Sequence, residues 1–479
     1  MSLFNFKNTY VNLGSDFIQK IAPTPVKSPS IVIYNEQLAR DLAINRADLA
    51  QKELAAILGG NKLPDGAEPI AMAYAGHQFG YFAKLGDGRA HLLGEHLTPS
   101  DERFDIQLKG AGPTAFSRRG DGRATLYAML REYLMGEAMH ALEIPSSRSL
   151  AVIETGEIVY RETPQKGAVL TRVMESHLRV GTFEYAKRFL DKQRLTQLLD
   201  YAIERHYPEL ADTENKALQF IEAVMTKQID LVVNWMRVGF IHGVMNTDNM
   251  SVCGQTFDYG PCAFMNKYDP ATVFSSIDSQ GRYAFGNQPG IAHWNITVLA
   301  GTLLPLVDEE QEKAVEKAQA LIDEFPKRFD EKYYQMMGRK LGITCKGEVD
   351  NALIDDLLHM MRLFGWDYTT TFRSISTGKF SEEYSSDRFE NWYKKWQHRV
   401  SLEADPDKSL TEMNKMNPFY IPRNHLVEEA LDSAVTGDMS SFNELLEVLA
   451  NPYQEQKGKE QFTKVPNDFD KGYQTFCGT

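Results

Sequence analysis

GFIHGVMNTDNMSVCGQTFDYGP, residues 239–261, follows a stretch of helical apolar spacing over residues 216–238. It places His242, Asn249 and the triplet Asp258-Tyr259-Gly260 in a telling order. Behind a long helix, a protein kinase carries H-R-D-x-x-x-x-N and then D-F-G. With His242 on the motif histidine, Asn249 falls on the motif asparagine. Asn249 and Asp258 then offer the amide and carboxylate oxygens that Mg2+ prefers. The catalytic aspartate's place holds Val244, which cannot accept a proton, and the nearest carboxylate is Asp248. The ordinary alternative is that NTDN is a good turn sequence and Asp248 a local cap.

Upstream, a kinase-like small lobe needs strands, a strand ending in lysine, and a helix bearing glutamate. Residues 81–85, 90–94, 104–108, 149–154, 158–160 and 168–173 read as strands, and 124–142 as a helix. DIQLKGAG, residues 105–112, is an apolar strand ending at Lys109. On the following helix Glu132 is the partner for Lys109, with Glu137 second. A lone glutamate is more often a solvated helix face, so the weight rests on the order of elements.

The pentapeptide GDGRA occurs at residues 86–90 and again at 120–124. The flanks differ: the first copy alternates like a hairpin, and the second runs into a helix. They are two structures sharing a loop chemistry, and no internal repeat. Glycines let backbone N–H groups approach an anion. Residues 105–131 hold five basic side chains (Lys109, Arg118, Arg119, Arg123, Arg131) against two acids, in a chain of net charge −13. Either loop alone is an ordinary turn. Together with Lys109 they predict phosphate binding, although neither copy completes GxGxxG and no GxxxxGK[ST] is present.

After about residue 183 the pattern is helical, over 183–205, 309–324, 353–363, 388–400 and 425–450. The fold class expected is α+β, a protein-kinase-like two-lobed fold. Its divisions are an N-terminal, partly helical extension (1–65), a β-rich nucleotide-binding lobe (66–175), a helical lobe (176–424) and a C-terminal helical extension and tail (425–479). The acidic balance argues against nucleic acid and anionic membranes as partners. The most apolar run, residues 296–307, is a dozen residues long and short of a membrane span. The first residues lack a basic flank followed by an apolar run, so no secretory signal is read. Four cysteines (Cys253, Cys262, Cys345, Cys477) lack ligand spacing, which predicts a cytoplasmic setting and no structural zinc.

At this point several stretches together resemble the selenoprotein O family. They are YAGHQFGYFAKLGDGRAHLLGE, DIQLKGAGPTAFSRRGDGRATLYAMLREYLMGEAMHALEIPSSRSL, LTRVMESHLRVGTFE, GFIHGVMNTDNMSVCGQTFDYGPCAF and FGNQPGIAHWN. The resemblance is dense over residues 74–295 and continues to NPFYIPRNH, residues 417–425. It implies a pseudokinase branch that moves AMP from ATP to protein Ser, Thr or Tyr hydroxyls, with UMP from UTP attributed to bacterial members, and with self-modification. It implies a nucleotide flipped relative to ordinary kinases, with the α-phosphate presented for attack. Carried onto this chain, it implies that Gly86, Gly88, Arg89, Lys109, Asp121, Gly122, Arg172 and Arg179 bind nucleotide. It likewise implies that Glu132 orients Lys109, that Asn249 and Asp258 hold Mg2+ or Mn2+, and that Asp248 accepts the proton. Some members carry a redox-active residue near the C-terminus. Here Cys477 stands third from the end, and Cys262 alone follows DYGP. Those two read as a free tail thiol and a small core cysteine. The other functions weighed are an inactive ATP-binding scaffold, which Val244 permits, and an atypical kinase using Asp248 as its base.

Overall fold

The computed structural model describes residues 3–46, 49–465 and 469–476. The first half builds one antiparallel sheet. Its strands are β1 (Ile18–Lys20), β2 (Ser30–Tyr34), β3 (Ile70–Gln78), β4 (Tyr81–Gly86), β5 (Ala90–Leu97), β6 (Arg103–Lys109), β7 (Ala124–Thr125), β8 (Arg148–Tyr160) and β9 (Pro164–Met174). They lie in the order β1-β3-β5-β6-β9-β8-β2, with β4 on β3 and β7 on β9. Helices α1 (Glu36–Asp41) and α2 (Gln51–Leu58) precede β3, and α3 (Leu126–Ala141) lies between β7 and β8. The N-terminal segment is partly helical, as expected, but it also supplies both outer strands. β1 pairs with β3 and β2 with β8.

Strand β6 decides how the lobe is used. Its side chains alternate between two faces with a period of two. Ile106 and Leu108 are fully buried and pack with Leu38, Leu54, Leu58 and Val169. Asp105, Gln107 and Lys109, also buried, share the opposite face. A buried polar row of this kind is stable only when each member has a partner.

The second half is helical: α4 (Val180–Phe189), α5 (Lys192–His206), α6 (Lys216–Val238), α7 (Gln288–Val307), α8 (Gln311–Ile322), α9 (Phe325–Lys340), α10 (Glu348–Phe364), α11 (Tyr368–Thr377), α12 (Asp387–Ser401), α13 (Pro406–Met416), α14 (Asn424–Thr436) and α15 (Ser440–Leu449). The short ribbon β10 (Phe240–Ile241) with β11 (Ala263–Phe264) encloses residues 242–262, the segment that carries His242, Asp248, Asn249 and Asp258. The helix read over residues 216–238 is α6, capped by Asn215, whose side chain accepts from the Leu218 N–H. Phe220, Ile221, Val224, Met225, Val232 and Trp235 of α6 are buried, each such side chain adding roughly 1.5–3 kcal/mol.

Three expectations shift in detail. The helix read over 183–205 is two, because Leu190 is extended and Asp191 restarts the helix by accepting from the Arg194 N–H. The region 425–450 is likewise α14 and α15, separated at Gly437. The apolar run 296–307 belongs to a longer helix, and residues 285–307 are long and apolar enough, by length and composition, to cross a membrane. Here Ile296, Leu299 and Leu303 of α7 are buried in the core.

Candidate active site

The polar face of β6 opens onto α3 and the Asp-Tyr-Gly turn. Lys109 Nζ lies 2.6 Å from Glu132 Oε2 and 2.6 Å from Asp258 Oδ1. Gln107 stands opposite Arg172 on β9, which puts the Arg172 side chain on the same face, diagonal to Lys109. Arg172 donates through Nε (2.8 Å) and Nη2 (2.5 Å) to Glu132 Oε1, and through Nη2 to Asp258 Oδ1 (2.5 Å). Two cations and two carboxylates therefore form one closed network. Burial pushes the Glu132 carboxyl up, but Arg172 and Lys109 outweigh it and hold it below its usual range. The same contest, with Arg172 strongest and Lys109 next, holds Asp258 well below the carboxylate range. Asp258 also sits in the left-handed region, at φ 60°. Such a non-glycine backbone costs on the order of 1–3 kcal/mol and is tolerated where its surroundings over-determine it.

The two GDGRA loops converge on the segment that follows Lys109. The first is a bulge and not the hairpin turn expected. Ala73 pairs with Gly86 and Ile70 with Leu92, so β4 and β5 run along the same partner, β3, with extra residues looped out between them. The Asp87 and Gly88 carbonyls accept from Thr114 (2.7 Å) and Ser117, and the Arg89 carbonyl accepts from the Gly110 N–H at 2.7 Å. The Gly86 backbone packs on the Phe116 ring. The second loop docks from the other side. Gly112 N–H donates to Gly122 O at 3.0 Å, and Gly122 (φ 67°) lies so close that a Cβ would come within 2.1 Å of the Gly112 carbonyl carbon. Asp121 accepts from Arg161 at 2.9 Å, and Arg123 donates to the Thr24 carbonyl at 3.2 Å. The two-residue strand β7 separates this loop from α3, so it does not open directly onto the helix as the sequence suggested.

The catalytic-type loop is fastened from every side. Gln288 of α7 accepts from the His242 N–H (3.1 Å) and donates to Phe240 O (3.0 Å), and Asn295 donates to Met245 O (3.1 Å). His242 Nε2 lies 3.2 Å from Phe257 O, linking this loop to the Asp-Tyr-Gly turn. Burial lowers the His242 pKa to about 4, so it is neutral and structural. Val244 is buried.

Asp248 stands on a 3-10 turn, Thr247–Asn249, beneath the β3–β4 hairpin. His77 N–H donates to Thr247 Oγ1 at 2.7 Å, drawing the hairpin onto the turn. Asp248 Oδ1 is buried and has no hydrogen-bond partner. Burial pushes the Asp248 carboxyl up to about 6, against the pull of Arg179. Gly76 of β3 makes this closeness possible, because a Cβ there would stand 2.4 Å from Asp248 Oδ1. Gly76→Ala is expected to displace the carboxylate and slow transfer about tenfold, measured on protein shown to be folded by circular dichroism.

Arg179, buried at the start of α4, ties the lobes together. Its Nη1 donates to Asp248 O at 3.0 Å, its Nη2 lies 3.8 Å from Asp87 Oδ1, and its guanidinium stacks 4.1 Å from the Tyr74 ring. Asp87, inside the first GDGRA loop, also accepts from the Met72 N–H at 3.1 Å. Sequence reasoning passed over Asp87, Asp105, Gln107 and Gly76. The alternation in DIQLK was the available signal, since it sets Asp105, Gln107 and Lys109 on one face.

A divalent cation suits the donor set. Asn249 spends its amide N–H on Val244 O at 3.0 Å, which leaves the amide oxygen as the ligand end. Asp258 is held ionised by its cationic neighbours. Among the described residues no three His, Cys, Asp or Glu side chains gather into a cage. A cation held here would need further ligands from phosphate oxygens and water, the usual arrangement for Mg2+. Cys262 is a buried free thiol, and Cys477 lies outside the described residues.

The family model described as protein adenylyltransferase SelO matches residues 1–450. The chain is 53% identical to a protein nucleotidyltransferase YdiU of Anoxybacillus flavithermus, covering 99% of both chains. It is 52% identical to the protein of the same name from Nitrosococcus oceani, covering 99% of this chain and 97% of that one. Among solved structures, ROP2 from Toxoplasma gondii aligns at 11% identity over 71% of this chain and 85% of that one, with a TM-score of 0.23. At that score the alignment carries no argument. The protein-kinase-like assignment rests on the order of strands, the Lys109–Glu132 pair and the two loops behind α6.

Proposed function

We propose, for a chain that belongs to the SelO family of protein adenylyltransferases and is a protein nucleotidyltransferase, that Asp248 is the proton acceptor and the Lys109 network the triphosphate site. A nucleoside triphosphate is one substrate and a protein the other. In our reading the donor is ATP, with UTP as the alternative, and the acceptor is a Ser, Thr or Tyr hydroxyl, self-modification included.

The acceptor oxygen attacks the α-phosphorus, the bond to the bridging oxygen of the β-phosphate breaks, and pyrophosphate leaves. The hydroxyl proton passes to Asp248. In this reading Lys109, Arg172 and Arg179 meet phosphate oxygens, with Glu132 orienting Lys109. Gly86, Gly88, Arg89, Asp121 and Gly122 shape the loops around residues 110–117. Asn249 and Asp258 would hold Mg2+ or Mn2+, which when bound neutralises charge developing on the phosphate. Preorganised donors of this kind are the main lever in phosphoryl and nucleotidyl transfer.

The observation that carries the assignment is the buried Asp248 Oδ1 without a partner, one residue from Asn249, where Val244 leaves the ordinary base position empty of chemistry. The test uses ATP labelled at the α- or the γ-phosphate, with Mg2+ or Mn2+ and a generic protein acceptor. Label on protein from the α-position alone, with pyrophosphate released, is the expected result. Label from the γ-position would overturn the reading in favour of kinase chemistry.

A further inference from the structure

We propose that Glu428, on α14, is a positioning residue for transfer. Through Arg131 it holds α3 and the backbone after Asp258 in the arrangement that keeps Lys109, Glu132 and Asp258 together. The proposal rests on the reading above for what these three residues do.

Glu428 is a meeting point of three elements. Its Oε1 accepts from Arg131 Nη1 at 3.1 Å and from Tyr473 OH at 2.6 Å, and its Oε2 accepts from Tyr127 OH. Tyr127 and Arg131 stand four residues apart on one face of α3. Arg131 neighbours Glu132, and its guanidinium is buried. It also donates to the backbone just past the Asp-Tyr-Gly triplet, through Nε to Gly260 O at 3.2 Å and through Nη2 to Cys262 O at 2.8 Å.

The intervening carbonyl is taken as well. Thr475 Oγ1 donates to Pro261 O at 2.7 Å. Further on, Asn424 at the start of α14 accepts from the Phe264 N–H (3.2 Å) and donates to Phe264 O (3.0 Å). Carbonyls 260, 261 and 262 and both polar backbone groups of Phe264 are therefore fixed by α3 or by the C-terminal segment. Asp258 sits two residues upstream, in a left-handed conformation that its surroundings must impose.

Among the described residues, Glu428 is the one carboxylate paired with Arg131. Without its charge the buried guanidinium is left without a counter-ion, and such a group rearranges. Its grip on Gly260 and Cys262 then loosens together with the orientation of α3.

Glu428→Gln keeps the shape and removes the charge. The full-length variant is expected to lose about tenfold in kcat, with KM for ATP changed less than kcat. It is expected to need several-fold more Mn2+ or Mg2+ for half-maximal activity, and to show faster amide hydrogen exchange over residues 258–264. Glu428→Asp should restore part of the loss. A purely structural role predicts a lowered melting temperature with unchanged metal dependence and wild-type kcat in the cold, and that outcome overturns the proposal. So do wild-type kcat, metal dependence and exchange. Should Glu428→Gln fail to fold, Tyr473→Phe, which removes a single bond to Oε1, decides. A smaller loss in kcat with faster exchange over 258–264 supports the proposal, and no change sinks it. The exchange readout needs no transfer, so loss of the transferase reading and loss of this one remain separate results.

Discussion

Asp258→Ala reduces nucleotidyl transfer by on the order of 10³-fold or more, the largest loss expected from a single substitution in this protein. Three effects coincide. The proposed metal loses its carboxylate ligand. Lys109 and Arg172, each within 2.6 Å of Asp258 Oδ1, lose a shared anion and settle on Glu132 alone. A residue at φ 60° also becomes an alanine, which tolerates that region less well than aspartate. Asp258→Asn separates the last effect from the others, because asparagine keeps the backbone tolerance and the size while losing the charge. Both variants are expected to fold, since Glu132 still bridges Lys109 and Arg172, and both are expected to be inactive with Mg2+. The check is transfer from α-labelled ATP across a Mg2+ and Mn2+ titration. Retention of more than a tenth of wild-type activity by Asp258→Asn would show that Asp258 is not the metal ligand.

Asp248→Asn is expected to cost less, about 10²-fold, because a base helps hydroxyl attack on phosphorus without dominating it. Its signature is in the pH dependence. Burial holds the wild-type carboxyl up at about 6, so wild-type activity should climb between pH 5 and 7 and then level off, while the residual activity of the variant should show no such step. Stability moves the other way. A carboxyl raised on folding favours the folded state most when it is protonated, and that contribution is lost as pH rises through about 6. Going from its ordinary value of 3.8 to about 6, this amounts to about 3 kcal/mol. Asp248→Asn should therefore be more stable than wild type at pH 8, with the difference shrinking below pH 6 and closing only below about pH 4, where the carboxyl is protonated in the unfolded chain as well. A flat wild-type pH profile, or a variant less stable at pH 8, would remove Asp248 from the role of buried base.

The parts of this site that lie close together in sequence were legible there. His242, Asn249 and Asp258 follow α6 in kinase order, and α6 itself was readable because its apolar period is unbroken over residues 216–238. Lys109 was legible as the end of an alternating strand. The Glu132 pair was readable only as a candidate, since nothing local distinguishes it from Glu137, which instead holds Arg148 at 2.6 Å. What the sequence hid depends on pairing at a distance. GDG at residues 86–88 has the composition of a tight turn, and only the partner strand β3 makes it a bulge. Asp87 looked like a turn residue, but Arg179, ninety-two positions along the chain, gives it a buried partner. The breaks at Leu190 and Gly437 fall inside continuous apolar periodicity, which does not report a change of helix axis. The strands β1 and β2 went unread because their places at the two edges of the sheet are set by pairing with the distant β3 and β8.

Those two strands also bear on how the protein is made. Ile31 pairs with Ile153 and Tyr34 with Ala151, so this outermost strand of the sheet waits during synthesis for more than a hundred further residues before its partner exists. Contacts of such long sequence separation form late, and they expose apolar strand edges in the meantime. Synthesis of this chain should therefore pass through a long interval in which residues 30–34 are a free β-strand seeking a neighbour.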